Sequence, residues 1–220
     1  MTHREGVLTR NTAAARINHW ITGICFVLLL LSGLAMFYPL MYPLSALFGG
    51  GQWTRAAHPW FGVVLMLSYL GLFVQFVRDN FPTRADGAWL AAIPRVIVNE
   101  EEGVPEVARF NAGQKFVFWS MTFLVPILFV TGLAIWEVYF SAYTSIETQR
   151  IAVLLHSLCA IAAILVWIVH VYAAIWVKGS IRAMTQGYVT PGWAWRHHRA
   201  WLRSLAATGS TGPRPRARRG

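Results

Sequence analysis

Four histidines stand in stretches of the chain that are otherwise almost free of charge: His19, His58, His156 and His170. Neutral imidazole offers one nitrogen that donates and one that accepts, and the accepting nitrogen is a ready metal ligand. Ionisable residues inside apolar runs are rare enough that each is a functional hypothesis by default. Two of them share one run. His156 and His170 are 14 residues apart, so on a helix they differ by about 21 Å in depth but only about 40° around the axis. One helix thus turns two ligands to the same side at two depths. A structural zinc site needs four ligands converging within a few ångströms, which that separation forbids. A proton relay would use intramembrane Asp or Glu, and these runs contain none. Two metal centres remain, each taking one ligand from this run and one from elsewhere.

The elements that must carry these ligands follow from composition. The 220 residues are 56% hydrophobic, 14% aromatic and only 13% charged, against about 25% charged in a soluble domain. Disorder is excluded by the same aromatic and aliphatic content. Four runs are long enough to cross about 30 Å of hydrocarbon as helices: residues 17–37, 54–77, 116–136 and 151–177. Four spans cannot close a barrel, and lipid gives backbone groups no partners, so the fold class is all-α, an integral membrane four-helix bundle. The first run is too long for a signal-peptide core and lacks a small-residue cleavage site, so it is read as a retained span. Pro59 lies one turn into the second span, where a missing N–H costs little, whereas Pro126 in mid-span should kink the third.

Seventeen of the nineteen Lys and Arg lie before the first span (residues 1–16), in the 78–115 connection, or in the 178–220 segment. Only Arg55 and Arg150 lie on the other side. That asymmetry puts both termini and the 78–115 loop in the cytoplasm. The net charge of +10 therefore reflects membrane topology, and no nucleic-acid partner is expected. GAWLAAIPRVIV in the loop and GWAWRHHRAWL after the last span look like surface helices at the membrane interface. The basic TGSTGPRPRARRG tail is expected to be disordered near anionic lipid. His197 and His198 are read as interfacial, and His3 as unimportant. Cys25 and Cys159 form neither a disulfide framework nor a metal motif. No internal repeat is convincing.

With direction assigned, the histidines sort by depth. His58 and His156 sit a turn inside the outer ends of spans two and four, and His19 and His170 near the cytoplasmic ends of spans one and four. Two imidazoles from different helices complete six-coordinate haem iron, so two stacked b haems are expected. Gly23, Gly33, Gly62, Gly71, Ala160, Ala162 and Ala163 would leave room for a flat macrocycle, although close helix packing explains them equally well.

The motifs RINHW at His19, RAAHPWFG at His58, FNAGQK at Phe110–Lys115, LLHSLCA at His156 and HVYAAIWVKGSI from His170 resemble the membrane cytochrome b (gamma) subunit of respiratory formate dehydrogenase. The resemblance spans roughly residues 10–203. The bis-histidine core is shared with cytochrome b subunits of nickel-iron hydrogenases, while FNAGQK followed by WVKGSI is closer to the formate enzyme. It implies haem ligation by His58 with His156 and by His19 with His170, the pairing that depth gave independently. It also implies a multi-pass subunit of the bacterial inner membrane that takes electrons at the outer face from an iron–sulfur (beta) subunit. Behind that subunit stands a molybdenum or tungsten catalytic (alpha) subunit. Menaquinone or ubiquinone is reduced on the cytoplasmic side, where Asn111, Gly113 and Gln114 match quinone-pocket positions. An N-cap role would explain Asn111 and Gly113 without any ligand. The alternatives are a subunit serving a hydrogenase and a haem-free membrane anchor. No formate chemistry is expected of this chain alone, since it has no Cys₄ cluster motif.

Overall fold

A computed structural model describes residues 6–98 and 103–208. In chain order the elements are strand β1 (Leu8–Thr9), helix α1 (Ala13–Phe37), a 3₁₀ segment (Pro39–Phe48), α2 (Gly51–Phe76), a 3₁₀ turn (Val77–Asn80), α3 (Arg84–Ala91) and α4 (Ile93–Ile97). There follow α5 (Ala112–Ala134), a 3₁₀ turn (Ser141–Tyr143), α6 (Ile146–Trp176), α7 (Ser180–Thr185), β2 (Tyr188–Val189), α8 (Pro191–His197) and α9 (Arg199–Ala207). Four of these, α1, α2, α5 and α6, are long and apolar enough to cross a membrane, and the protein is an integral membrane protein. The chain divides into two units, one of residues 17–77 and 117–172, the other of residues 1–16, 78–116 and 173–220.

The first unit is built from the long helices. Its core joins Cys25, Leu65, Tyr69 and Val125, with Phe26, Leu29, Met66, Phe73 and Met121 packed around them. Phe73 stacks on Phe118 with ring centres 5.9 Å apart, and Phe26 on Trp167 at 5.8 Å. In a medium without water, helices gain from interhelical hydrogen bonds. Tyr69 donates from Oη to Phe118 O (3.1 Å) and meets Thr122 Oγ1 at 2.9 Å. Thr22 and Ser68 hydroxyls touch at 2.8 Å, and Ser68 Oγ donates to Asn18 Oδ1 at 2.6 Å. Gly71 lets Asn18 come close: a Cβ there would stand 2.5 Å from Asn18 Nδ2. That glycine serves helix packing and not cofactor room. Pro126 leaves α5 unbroken between Ala112 and Ala134; an interior proline forfeits one backbone bond, which a long helix absorbs. The 3₁₀ segment starts on Pro39 and ends at Gly49 (φ 88°) and Gly50 (φ 104°), a reversal that residues with a Cβ resist. Thr54 closes it by donating to Gly50 O at 2.9 Å. Trp60, Trp136 and Tyr139 pack edge to face nearby.

The second unit adds elements that the hydropathy pattern does not show. β1 pairs with β2 in a two-residue antiparallel ladder, Leu8 opposite Val189, a small strand addition to an otherwise helical chain. GAWLAAIPRVIV is not one helix, because Pro94 cannot donate and the chain restarts as α4 after Ala92. GWAWRHHRAWL likewise splits at His198, whose φ of −147° and ψ of 53° are not helical. His198 is not interfacial. It is 1% exposed, with Nδ1 donating to Ala108 O at 2.8 Å and Nε2 facing Arg10 Nη2 at 3.3 Å. Burial first, then the Arg10 cation, push its pKa down to about 3, so the ring is neutral. Arg10 sits among aromatic faces, 4.6 Å from the Trp201 centre and 5.2 Å from Trp193, a cation–π setting that compensates a buried guanidinium. It also donates to Arg109 O. His197 lies on Trp193 at 5.3 Å. His3 and tail residues 209–220 lie outside the described residues.

Candidate functional site

The helical unit brings the four histidines into the two pairs that depth suggested. His19 of α1 and His170 of α6 have ring centres 6.1 Å apart with planes at 54°. His58 of α2 and His156 of α6 are 6.4 Å apart at 62°. Because α6 runs without a break from Ile146 to Trp176, the two pairs are separated by about 21 Å along it. Among the described residues no group of three or more His, Cys, Asp or Glu stands close enough to hold a metal ion. Each pair therefore supplies two donors and no more.

At the His58–His156 pair the hydrogen-bond pattern favours one tautomer. Ser32 Oγ gives its one proton to Leu28 O (2.6 Å) and meets His58 Nδ1 at 2.8 Å. With its hydrogen committed, the hydroxyl accepts, so Nδ1 carries the ring proton and Nε2 keeps a lone pair. Thr131 of α5 repeats the arrangement, donating to Ile127 O at 2.7 Å and accepting from His156 Nδ1 at 2.9 Å. Ser32 is wholly buried and Thr131 nearly so. The glycine after each hydroxyl lies beside the same ring: a Cβ at Gly33 would lie 3.4 Å from His58 Cε1, and one at Gly132 3.4 Å from His156 Cε1. The other pair lacks this support on at least one side, since His19 Nδ1 is buried without a hydrogen-bond partner among the described residues.

Ser32 and Thr131 went unnoticed in the sequence, yet a signal was there. Ser32-Gly-Leu-Ala and Thr131-Gly-Leu-Ala are near-copies, and each hydroxyl precedes its histidine by 26 and 25 residues respectively. A short repeat therefore does exist at this pair.

The predicted quinone residues fall in the other unit, where they build a helix start. Asn111 Oδ1 accepts from Gln114 N (2.9 Å) while Gln114 Oε1 accepts from Asn111 N (3.0 Å), the reciprocal pattern of a capping box. Both bonds use carbonyl oxygens, so the two side-chain NH₂ groups remain as donors. Gly113 admits Trp89, whose Cη2 would meet a Cβ there at 3.4 Å. The charged neighbours are committed to one another: Lys115 to Asp86 (2.8 Å), Arg109 to Asp79 (2.8 Å) and Arg203 to Glu106 (2.8 Å). Burial opposes ionisation of Asp86, but the Lys115 and Thr83 hydrogen bonds outweigh it and hold that carboxyl below its usual range.

Comparison with known proteins then decides the family. Residues 10–187 match the family model of the prokaryotic cytochrome b561. The chain belongs to that family. It is 42% identical over 205 residues to the cytochrome b556 subunit of a formate dehydrogenase of Escherichia coli K12, covering 93% of this chain and 96% of the relative. The subunit of the nitrate-inducible formate dehydrogenase of the same strain is 38% identical over 202 residues, covering 92% and 93%. A cytochrome b556 subunit from Haemophilus influenzae is 38% identical over 196 residues, covering 89% and 82%. The resemblance carried by the histidine motifs is borne out.

The cytochrome b561 family implies haem b, and the residues present fit it. Paired imidazoles from different helices, with ring centres 6.1 and 6.4 Å apart, would hold a haem iron at each depth, and the haem would supply one-electron transfer. Gly23 and Gly62 each lie one turn beyond a histidine, on the same helix face. A Cβ at either would meet nothing within 4 Å, so both flanks are open.

Proposed function

We propose that this chain is the di-haem cytochrome b subunit of a formate dehydrogenase, with His58 and His156 holding an outer haem and His19 and His170 a cytoplasmic one. The observation that carries the reading is the ring spacing of 6.1 and 6.4 Å in two pairs drawn from different helices. When bound, the haems supply one-electron carriers at two depths of the membrane. The chain's own residues keep each Nε2 available, fix ring orientation through Ser32 and Thr131, and exclude water by apolar packing.

By its relatives, the chain assembles with the other subunits of a formate dehydrogenase in a bacterial inner membrane. An iron–sulfur subunit would bring electrons to the outer face, with a molybdenum or tungsten subunit behind it. The exposed Tyr38, Leu40, Tyr42, Leu47 and Trp53 at the 3₁₀ segment and the start of α2 form an apolar surface of the kind that docks a partner.

Quinone reduction is placed on the cytoplasmic side. It consumes two electrons and two protons, and the spans contain no acidic relay, so protons must come from nearby water. The amide N–H groups of Asn111 and Gln114 can donate to quinone oxygens without adding a buried charge, beside a helix N-terminus that favours a developing anion. Electrons entering outside and protons taken up inside would generate membrane potential.

The decisive measurement is the visible spectrum of the purified chain with haem quantified. Two b haems per chain are expected, and none at all would leave a haem-free anchor. Co-purification with a molybdenum or tungsten enzyme, and not with a nickel one, separates the formate reading from a hydrogenase. For the quinone site, Asn111→Asp and Gln114→Glu keep the cap and remove the N–H donors. A quinone reduction rate at least about tenfold lower, with both haems intact and reducible by the partner, supports the site. Unchanged rates in both variants move it elsewhere.

A further inference from the structure

We propose that Ser32 and Thr131 are positioning residues that hold the His58 and His156 rings and lower the reduction potential of the centre they form relative to the His19–His170 centre; this rests on the haem ligation proposed above. The hydroxyls are oriented before any ligand arrives, because each has given its proton to a carbonyl one turn back, Leu28 O and Ile127 O. Each can then only accept from the ring, which fixes Nδ1–H and leaves Nε2 its lone pair. An Nδ1–H that donates to oxygen makes the opposite nitrogen a stronger electron donor, and outer-shell partners of this type tune metal sites. A stronger donor favours ferric over ferrous iron, so the supported centre is the harder to reduce. Among the described residues His19 Nδ1 has no such acceptor. The asymmetry is built into one helical unit with the same ligand type at both depths, and it slopes from the His58–His156 centre towards the His19–His170 centre. Gly33 and Gly132 stand beside the same rings: a Cβ at either would come into van der Waals contact with the ring Cε1, at 3.4 Å.

The test uses the haem-loaded full chain in lipid nanodiscs. The substitutions are Ser32→Ala and Thr131→Val, with Ser32→Thr and Thr131→Ser as hydroxyl-retaining controls. The readouts are haem per chain, a redox titration of both centres, and the low-spin ferric EPR lines, which respond to the angle between the two imidazole planes. The hydroxyl-less variants should keep both haems and raise one potential by about a tenfold change in its reduction equilibrium, about 59 mV for a one-electron couple. The EPR line of the same centre should move, and the other centre should not change. Loss of that haem in the hydroxyl-less variants, restored in the controls, counts equally in favour. If hydroxyl-less and hydroxyl-retaining variants match in occupancy, potential and EPR, the proposal is overturned. Failure of the underlying ligation would show differently, as a wild-type chain without haem or as His58 and His156 variants that retain both.

Discussion

Two histidines in different parts of the molecule, His198 buried and His58 half-buried, have opposite fates. His198, in the unit of loops and short helices, has both ring nitrogens engaged, Nδ1 by Ala108 O and Nε2 by Arg10. His58, in the helical unit, has Nδ1 engaged by Ser32 and its ring 6.4 Å from that of His156. The difference teaches how to tell a structural imidazole from a candidate ligand. The accounting of the second nitrogen makes the distinction.

The comparison breaks most directly on haem content. Replacing His58 or His156 with leucine should remove one haem of two, and so should replacing His19 or His170. The His198→Leu chain should retain both. If it lost one, the distinction drawn from the second nitrogen would be wrong.

A smaller effect lies in pH. His198 stays neutral in the fold with a pKa of about 3, against 6.5 unperturbed. Its folded pKa is depressed, so below about pH 6.5 the unfolded chain takes up a proton that the folded one refuses. Stability should be intact above that value and fall by up to about 1.4 kcal/mol per pH unit between about pH 6.5 and 3. Thermal unfolding of the His198→Gln variant across that window should show a flatter slope than the wild type. An equal slope would assign the acid sensitivity to other groups.

Lys115 and Asp86 form a partly buried pair in the loop unit, with side chains 8% and 13% exposed. Lys115→Met leaves Asp86 without its cation and should cost about 1–3 kcal/mol, below the range for fully buried pairs. Chemical denaturation at neutral pH would measure it. The smallest change concerns the helix start. Asn111→Ala should destabilise by about 1 kcal/mol through the lost cap, while Asn111→Asp should be nearly neutral. The contrast between these two isolates capping from any quinone effect.

Much of this protein is readable along the chain, because membrane insertion is a local property. Hydropathy over about twenty residues identifies a span whatever it packs against, and the four apolar helices stand where the runs are. Their ends differ by a few residues: α6 begins at Ile146, not 151, and α5 stops at Ala134, not 136. Polar residues at the rim extend or end a helix according to their own hydrogen bonds, not their hydropathy. The pairing of the four histidine rings was legible for the same reason, since residue count along a helix is depth.

What the chain does not display is which polar side chain meets which. Ser32 and Thr131 read as ordinary small hydroxyls inside apolar runs, and nothing local distinguishes them from Ser157, which bonds its own helix at Val153 O. Their role exists only once α1 lies beside α2 and α5 beside α6. Likewise the cage around Arg10 and the buried ring of His198 join residues nearly two hundred positions apart, so a tail segment that scans as an interfacial anchor ends up partly as core. Depth, span and ligand type are properties of a residue and its neighbours in sequence. Tautomer, ring orientation and the satisfaction of buried charge are properties of pairs, and pairs form only when the helices and loops come together.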